Sequence, residues 1–362
     1  MKRHKAHIIF YPISILFGIV TFVRNWLFDK QILTSTSFKI PIISVGNLAV
    51  GGTGKTPHTE FLLSFLQNEW TVAVLSRGYL RKTKGFYLAD EKSNSNTLGD
   101  EPYQIHKKFP NIVVAVDEKR VRGVKKLQEI HQKLQIVVLD DAFQHRYIQA
   151  GLSILLTDYS NLYINDTLLP AGNLREYKSG SNRANIIIVT KCPTDLRPIE
   201  MRMLEQHLMP QTNQALFFSC FQYDEVRPVF SDIIAENWNF KRISELNANV
   251  LLVAGIVNPQ PIVEYLSKYT NNIETCFFED HHSFDERDFR NIQKLFDAIA
   301  STEKILLVTE KDAARLVSNK YFPEQLKSKT FALPISVKIL NNQENIFIQK
   351  IKNYVIENSR NS

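Results

Sequence analysis

The segment PIISVGNLAVGGTGKTP, residues 41–57, contains the strongest structural signal in the sequence. A short apolar run breaks there into a glycine-rich turn, and an amphipathic segment with apolar residues at helical spacing follows directly. This order predicts a β-strand, a phosphate-binding loop and an α-helix that begins at the end of the loop. The rest of the chain is therefore interpreted around this strand, loop and helix.

The residue types of the loop suit a bound triphosphate. Backbone N–H groups at a helix N-terminus converge on phosphate oxygens, Lys55 can reach the β- and γ-phosphates, and Thr56 can offer its hydroxyl to Mg²⁺. Ala49 replaces the first glycine of the G-x-x-x-x-G-K-[ST] pattern. A surface turn is the alternative, but it would not need Gly-Lys-Thr between a strand and a helix. The residues predicted to bind the nucleotide here are Ala49, Val50, Gly51, Gly52, Thr53, Gly54, Lys55 and Thr56.

Length and composition limit the possible classes of protein. The chain has 362 residues and is 44% hydrophobic, which suffices for a large core in one big or two moderate domains. A net charge of +7 suits an anionic partner such as a nucleotide or an acidic lipid surface. We expect no nucleic-acid partner, because no motif combines aromatic and basic residues. The three cysteines form no CxxC pair and indicate a reducing compartment.

An apolar run with basic residues on both sides precedes the phosphate loop. It extends from Ile8 to Val23, shorter than the roughly 20 residues that a spanning helix needs, and Pro12 is expected to bend it. We interpret residues 1–30 as a membrane-associated helix, which either spans the bilayer or lies on it. A buried helix of the core is the alternative.

Successive strand and helix signals after this segment predict an α/β fold. The expected architecture is a mostly parallel sheet of the P-loop NTPase type, flanked by helices, over residues 31–240. Apolar strands resume near residue 249 and predict a smaller C-terminal α/β lobe over residues 241–362.

The segment LQIVVLDDAFQHR, residues 134–146, is the second strong motif. Its apolar run predicts a buried strand that brings Asp140 and Asp141 to the carboxyl end of the sheet. A carboxylate there completes a Walker B arrangement by holding Mg²⁺ beside the phosphate loop. In a later loop, Arg175 and Glu176 suit a phosphate cation and a metal-side carboxylate, with a surface ion pair as the alternative.

Two arginines follow predicted strands. Arg77 comes directly after one strand, and Arg120 opens the helix after another, so both are expected at the sheet edge where ligands of α/β proteins bind. Surface positions are the alternative for both. With Asn47 of the loop motif, they are our predicted substrate-binding residues.

Acids and histidines occur at further helix starts and strand ends. Asp100 precedes a proline at a helix start, which fits either an N-cap or a catalytic carboxylate. His281 and His282 stand beside Asp280 and suit base partners or orienting groups. No third ligand lies at the spacing of a zinc site.

The ordered set of motifs resembles the tetraacyldisaccharide 4′-kinases of lipid A biosynthesis. The resemblance implies ATP-dependent phosphorylation of the 4′-hydroxyl of an acylated glucosamine disaccharide 1-phosphate, giving lipid IVA, at the cytoplasmic face of the inner membrane. We expect a monomer. The matching segments cover nearly the whole chain after residue 40: VGNLAVGGTGKTP (45–57), SRGY (76–79), GDEP (99–102), LDDAFQH (139–145), LLPAGNLRE (168–176), AGI and NP within 254–259, DHH (280–282) and TEKDA (309–313).

The resemblance also implies roles for individual residues. It makes Asp100 the catalytic base and His281 its partner, although the neighbouring His282 leaves the choice of histidine open. It places Gln144 and Arg175 near the nucleotide. The metal positions that it implies are Thr56, Asp140, Asp141 and Glu176, without fixing which carboxylate touches Mg²⁺.

The strongest alternative is a membrane-recruited P-loop ATPase switch of the partitioning or targeting type. The segment GGTGKT, residues 51–56, also resembles the phosphate loops of those proteins. However, no second lysine stands at the start of the loop, and a switch would not need Asp100 and His281. The kinase is therefore the preferred prediction.

Overall fold

The structure is a computed structural model, and it describes residues 8–230, 233, 237–280, 282–317 and 319–359. The chain divides into two compact units. The first unit comprises Met1–Ser93, Ile105–Phe221 and Val337–Ser362, and the second comprises Asn94–Gln104 and Gln222–Ser336. These limits differ from the predicted division at residues 240 and 241, because the last helix of the chain packs in the core of the first unit.

Strands within the described residues form two sheets. The larger has the order β14-β8-β7-β6-β1-β5-β2-β4-β3, and the smaller has the order β11-β10-β12-β13-β9. In chain order the strands are β1 (Ile42–Asn47), β2 (Val72–Ser76), β3 (Tyr87–Leu88), β4 (Val113–Val116), β5 (Ile136–Asp140), β6 (Leu152–Asp158), β7 (Ile186–Thr190), β8 (Ala215–Tyr223), β9 (Arg227–Pro228), β10 (Asn249–Ala254), β11 (Ile273–Phe277), β12 (Lys304–Thr309), β13 (Thr330–Leu333) and β14 (Ile335–Ile339).

Helices alternate with these strands. The α-helices are α1 (Tyr11–Asp29), α2 (Lys55–Leu66), α3 (Ser95–Leu98), α4 (Asp100–Lys108), α5 (Arg120–Ile130), α6 (Pro198–Leu208), α7 (Phe240–Glu245), α8 (Gln260–Leu266), α9 (Glu286–Ala298), α10 (Glu310–Val317), α11 (Glu324–Lys327) and α12 (Glu344–Ser359). Short 3₁₀ turns cover Ile8–Phe10, Tyr163–Asn165 and Lys178–Arg183.

The centre of the larger sheet is parallel and wholly buried. β1 lies between β5 and β6, parallel to both, and β2 continues the parallel arrangement beside β5. Every residue of β1, β2 and β5 is buried, which explains their continuous apolar runs, since helices cover both faces of a parallel sheet. The carboxyl ends of these strands therefore share one edge, as the sequence predicted.

Two helices share a core with this sheet in the first unit. Leu62 and Leu63 of α2 are buried in one apolar cluster with Ile43 of β1, and Phe347 and Ile351 of α12 complete it. The Tyr354 hydroxyl of α12 also donates a hydrogen bond to the Ile42 carbonyl at 3.1 Å. The segment after the second unit thus completes the core of the first.

Helix α1 begins at Tyr11, so Pro12 falls in its first turn, where the missing N–H costs no helix hydrogen bond. By its length and its apolar composition alone, α1 is able to cross a membrane. Its Ser14 hydroxyl donates to the Leu168 carbonyl at 3.1 Å and accepts from the Ala171 N–H at 2.9 Å, which joins it to the loop before Arg175. Its exposed large apolar residues are Tyr11, Ile13, Ile15, Leu16, Ile19, Val20, Phe22, Val23 and Trp26.

The second unit is built on the smaller sheet. β10 lies between β11 and β12, parallel to both, and β13 extends the parallel set beside β12. The short β9 pairs antiparallel with β13. Helix α10 follows β12 without a connecting residue, so its first turn stands at the carboxyl edge of the sheet.

Candidate active site

The phosphate loop has the backbone shape that its glycines allow. Gly51 and Gly54 have φ angles of 109° and 87°, which are unfavourable for residues with a side chain. A Cβ atom on Gly54 would also lie 2.7 Å from the Phe221 ring. The predicted strand, loop and helix are confirmed, since β1 ends at Asn47 and α2 begins at Lys55.

Neutral hydrogen bonds hold the middle of the loop. The Asn47 side-chain amide donates to the Thr53 hydroxyl at 2.8 Å, and the Thr190 hydroxyl donates to the Thr53 carbonyl at 2.9 Å. Asn47 and Thr190 are both completely buried at strand ends. Asn47 therefore stabilises the conformation of the loop through its hydrogen bond to Thr53. Its assignment to substrate binding stays a prediction.

His58 lies buried in the first turns of α2, and sequence analysis did not select it. Its Nδ1 lies 2.7 Å from the Gly54 carbonyl, and its Nε2 lies 2.9 Å from the Ser219 hydroxyl. Burial lowers the pKa of His58 to about 4, although the Gly54 carbonyl opposes this shift and the nearby Lys191 reinforces it. The ring is thus neutral at pH 7, with Nδ1–H donating to the loop and Nε2 accepting from Ser219.

Three predicted charged residues meet at the end of the loop. The Lys55 Nζ lies 3.8 Å from the Asp141 carboxylate, and the Arg175 guanidinium lies 3.0 Å from it. Burial would raise the pKa of Asp141, but Lys55 and Arg175 outweigh it and hold that pKa below its usual value. Asp141 has a φ angle of 46°, a left-handed conformation at the turn directly after β5.

Asp140, the other predicted Walker B acid, is buried at the end of β5. Only 2% of the residue is exposed, and its carboxylate accepts hydrogen bonds from Thr59 at 3.2 Å and Ser76 at 3.5 Å. The Arg120 guanidinium donates to its backbone carbonyl at 3.4 Å. Hydroxyl groups therefore fix this carboxylate, which belongs to the residue next to the acid that contacts Lys55.

Glu176 joins the loop of Arg175 to helix α1. Its buried carboxylate accepts hydrogen bonds from Arg183 at 2.8 Å, from Gln144 at 3.0 Å and from Asn25 of α1 at 2.7 Å. The Gln144 amide also donates to the Asn47 carbonyl at 2.8 Å. Hydrogen bonds thus lead from the apolar helix to the end of β1, and a metal role for Glu176 stays a prediction.

The two predicted arginines differ in exposure. Arg77 is exposed directly after β2, at the carboxyl edge of the sheet. Arg120 is buried, donates to the Asp117 carbonyl at 2.6 Å, and has a pKa lowered to about 10 by burial, which Asp140 and Asp141 partly oppose. A substrate contact by either residue stays a prediction, and Arg77 is the more accessible.

The donor set at the phosphate loop fits Mg²⁺. The described residues contain no cluster of three or more His, Cys, Asp or Glu side chains that could enclose a metal ion. Mg²⁺ is commonly held by one or two carboxylates and completes its shell with phosphate oxygens and water. The carboxylates of Asp140 and Asp141 and the hydroxyl of Thr56, next to Lys55 in α2, provide such a set.

The predicted base Asp100 is in the second unit, where it is the first residue of α4. Its carboxylate accepts a hydrogen bond at 2.8 Å from the Nε of Arg315, a residue that sequence analysis did not select. The predicted partner His281 lies outside the described residues. The preceding Asp280 pairs with Lys311 at 2.8 Å, and His282 pairs with Asp288 at 2.7 Å.

Several of these residues had weak signals in the sequence. The cluster of Glu310, Lys311 and Asp312 at a strand exit was visible, but Arg315 lies one helical turn further and resembles any surface arginine. His58 occupies an inward position of α2 among apolar residues. The sequence around Arg315 and His58 does not show which residues they contact, because those contacts arise from the tertiary fold.

Comparisons with known proteins agree with the fold and the loop. The family model described as tetraacyldisaccharide-1-P 4′-kinase matches residues 6–355. The tetraacyldisaccharide 4′-kinase of Bacteroides thetaiotaomicron is 48% identical, covering 100% of this chain and 97% of the relative. That of Flavobacterium johnsoniae is 45% identical, covering 97% of each chain.

A solved structure is also similar. The crystal structure of LpxK from Aquifex aeolicus in complex with ATP superposes with a TM-score of 0.72 at 29% identity, covering 96% of this chain and 98% of that one. The predicted P-loop kinase fold and the predicted ATP-dependent kinase activity in lipid A biosynthesis are confirmed, and the comparisons give no support to the nucleotide switch. The chain belongs to the tetraacyldisaccharide-1-phosphate 4′-kinase family.

Proposed function

We propose that this chain transfers the γ-phosphoryl group of ATP to the 4′-hydroxyl of a tetraacylated glucosamine disaccharide 1-phosphate, with Asp100 as the base. The observation that carries the proposal is the meeting of Lys55, Arg175 and Asp141 at the end of a phosphate loop. Two cations beside a glycine-rich loop suit the charge of a triphosphate. The family match supplies the acceptor.

The reaction forms one bond to phosphorus, breaks another and transfers one proton. The 4′-oxygen of the sugar bonds to the γ-phosphorus, the bond from that phosphorus to the β,γ-bridging oxygen breaks, and ADP leaves. The hydroxyl proton passes to the Asp100 carboxylate. Because the transition state spreads negative charge over the phosphoryl oxygens, most of the rate enhancement comes from positioning and from fixed cations.

Residues in and around the loop have different roles in this reaction. Lys55 and the loop N–H groups hold the β- and γ-phosphates, and Arg175 adds a second cation. Asn47, His58 and Thr190 keep the loop in shape through neutral hydrogen bonds, so they add no charge that would compete with the phosphates. Gln144, through its bonds to Asn47 and Glu176, is proposed to brace the nucleotide side of the site.

Mg²⁺ is the proposed metal, held by Thr56 and by one or both of Asp140 and Asp141. When bound, it would neutralise charge on the β- and γ-phosphates. The hydroxyl donors Thr59 and Ser76 keep the Asp140 carboxylate oriented toward that role. Glu176, whose carboxylate accepts hydrogen bonds from three side chains, is the remaining candidate ligand.

His281 is the proposed partner of Asp100. The choice between the two histidines is supported by the contacts of His282, which pairs with Asp288 and stacks on Phe278. A histidine beside the base would keep its carboxylate oriented for proton transfer.

The exposed apolar side of α1 is proposed to lie in the cytoplasmic face of the inner membrane. A substrate with four acyl chains does not leave the bilayer readily, because each buried CH₂ contributes about 0.8 kcal/mol. The enzyme must therefore act at the membrane surface. We propose that the enzyme is a monomer.

The experiment measures label from γ-labelled ATP in an acylated disaccharide 1-phosphate dispersed in detergent. The intact protein is compared with Asp100→Asn, and Asp297→Asn on the exposed side of α9 is the matched control. We expect labelled lipid from the intact protein and the control, and at least 100-fold less from Asp100→Asn, within the range for a lost general base. ATP hydrolysis without labelled lipid would overturn the proposal.

A further inference from the structure

Arg315 connects the predicted base to a buried acid within the second unit. Its Nε donates to one oxygen of Asp100 at 2.8 Å, and its terminal Nη1 donates to Asp312 at 3.0 Å. The arginine side chain is 7% exposed and the Asp312 side chain is fully buried. A guanidinium with both ends committed to carboxylates has a fixed plane and a fixed position.

Asp312 is itself held from two further sides. Its second carboxylate oxygen accepts hydrogen bonds from the Gly255 N–H at 2.9 Å and from the Thr309 hydroxyl at 2.6 Å. Gly255 follows β10 and Thr309 ends β12, so the acid is fixed to the ends of two adjacent parallel strands. The position of Arg315 is therefore set by the sheet and does not depend on a loop.

Gly255 shows that close packing is part of this arrangement. A Cβ atom at residue 255 would lie 3.0 Å from the Asp312 carboxylate and 3.4 Å from the Arg315 guanidinium. A larger residue would therefore require the Asp312 carboxylate or its neighbours to shift by a few tenths of an ångström. The absence of a side chain here lets the arginine reach Asp100 while it stays bound to Asp312.

Helix α10 contacts the start of α4 at a second point. Lys311, one turn before Arg315, lies 4.0 Å from Glu101 and 2.8 Å from Asp280. Residues four apart on a helix share one face, so the two cations of α10 face the two consecutive acids that open α4. The face of α10 that carries Lys311 and Arg315 thus orients the first turn of α4, where the predicted base stands.

We propose that Arg315 is a positioning residue for phosphoryl transfer, which fixes the Asp100 carboxylate in the orientation that accepts the sugar hydroxyl proton. The inference rests on the proposed role of Asp100 as the base. Arg315 acts through Asp100 and needs no contact with ATP or the sugar. A cation at this distance also favours the ionised carboxylate, the form that accepts a proton.

The test is a double-mutant cycle in the full-length protein. Rates of lipid labelling are compared for the wild type, Asp100→Asn, Arg315→Gln and the double variant. We expect Arg315→Gln alone to lower kcat about 30-fold with little change in the KM for ATP. In the Asp100→Asn background the same substitution should lower the residual rate less than threefold, because residues that act as a unit are not additive.

Controls separate positioning from general damage to the fold. The control is Arg290→Gln on α9. Arg290 is exposed, and in the part of the chain that the structure describes its guanidinium pairs with Glu286. This substitution should leave all rates unchanged. If Arg315→Gln does not fold, Arg315→Lys takes its place in the cycle, since a lysine keeps the charge but cannot bind two carboxylates side by side. It should lower kcat while leaving the melting temperature close to that of the wild type.

The outcomes distinguish the two proposals. Equal losses from the arginine substitution in both backgrounds would overturn the positioning role and leave the base in place. Full activity of Asp100→Asn would overturn the base, and the inference on Arg315 with it. A strong loss confined to the background that retains Asp100 would support both.

Discussion

The phosphate-loop region and the Asp100 region are constructed differently. The loop comes from one continuous segment, and neutral hydrogen bonds from Asn47, His58 and Thr190 keep its shape. Asp100 instead depends on Arg315, which lies 215 residues further along the chain. A local sequence motif can therefore form a phosphate-binding site, whereas the orientation of a catalytic base can depend on residues far away in the sequence.

The acids in the two regions also differ in burial. Asp312 is fully buried and accepts hydrogen bonds from Arg315, Gly255 and Thr309. The side chain of Asp141 is 32% exposed and contacts two cations that we expect to be shared with a phosphate. Asp312 should therefore contribute mainly to stability, and Asp141 mainly to catalysis.

The largest expected effect tests that contrast. Asp312→Asn should destabilise the second unit by about 3–5 kcal/mol, because it removes the buried one of the two carboxylates that the Arg315 guanidinium binds. Asp141→Asn should change stability by about 1 kcal/mol or less, because ion pairs that water partly screens contribute little. The measurement is hydrogen exchange of the β10 and β12 amides for the first variant and of the β1 and β5 amides for the second. Similar losses of protection in both variants would break the contrast.

Much of the first region could be predicted from the sequence. A strand, a glycine-rich turn and a helix occur in one uninterrupted segment, so local preferences and motif spacing were sufficient to place Lys55 and Thr56. The parallel strand order likewise brought Asp141 to the edge where Lys55 lies, as predicted. Arg175 contacts Asp141 in the structure, a contact that the motif alone did not show, and its role beside the nucleotide stays a prediction.

The second region could be predicted only in part. Asp100 and His281 received their roles as base and partner from the family resemblance, since the position of Asp100 in the sequence also fits a helix N-cap. Arg315 was not found because hydrophobic periodicity does not distinguish a buried arginine from an exposed one. Its partners are fixed by the packing of α10 against β10 and α4, which is information about the tertiary fold.

The next prediction concerns charge at the phosphate loop. Lys55→Met should lower the rate of lipid labelling about 10²–10³-fold, because it removes a fixed cation from the charge that develops on the phosphoryl group. The loop should remain folded, since Asn47 and Thr190 hold it without Lys55. Steady-state kinetics and the melting temperature are measured together, with the exposed Lys125→Met as the matched control. A large fall in melting temperature would show that the loop depends on charge, as the second region does.

The smallest expected effect concerns the neutral histidine of the first region. The pKa of His58 is lowered to about 4 in the folded protein, against about 6.5 in the unfolded chain. Between these values the unfolded chain binds a proton that the folded protein does not. Stability from His58 is therefore complete above pH 6.5 and declines as the pH falls toward 4. From pH 7 to pH 5 the loss due to this residue should be about 2 kcal/mol.

His58→Gln isolates this contribution, because the partly buried His145 also has a pKa lowered to about 4 and adds its own pH dependence. Urea unfolding at pH 7 and pH 5 should show a smaller difference in stability for His58→Gln than for the wild type, by about 2 kcal/mol. The exposed His207→Gln should behave like the wild type. An unchanged difference in His58→Gln would mean that the ring is already charged in the fold. In that case a charged group would stabilise the phosphate loop, as charged groups stabilise the surroundings of Asp100. The two regions would then not differ in the kind of interaction that holds them.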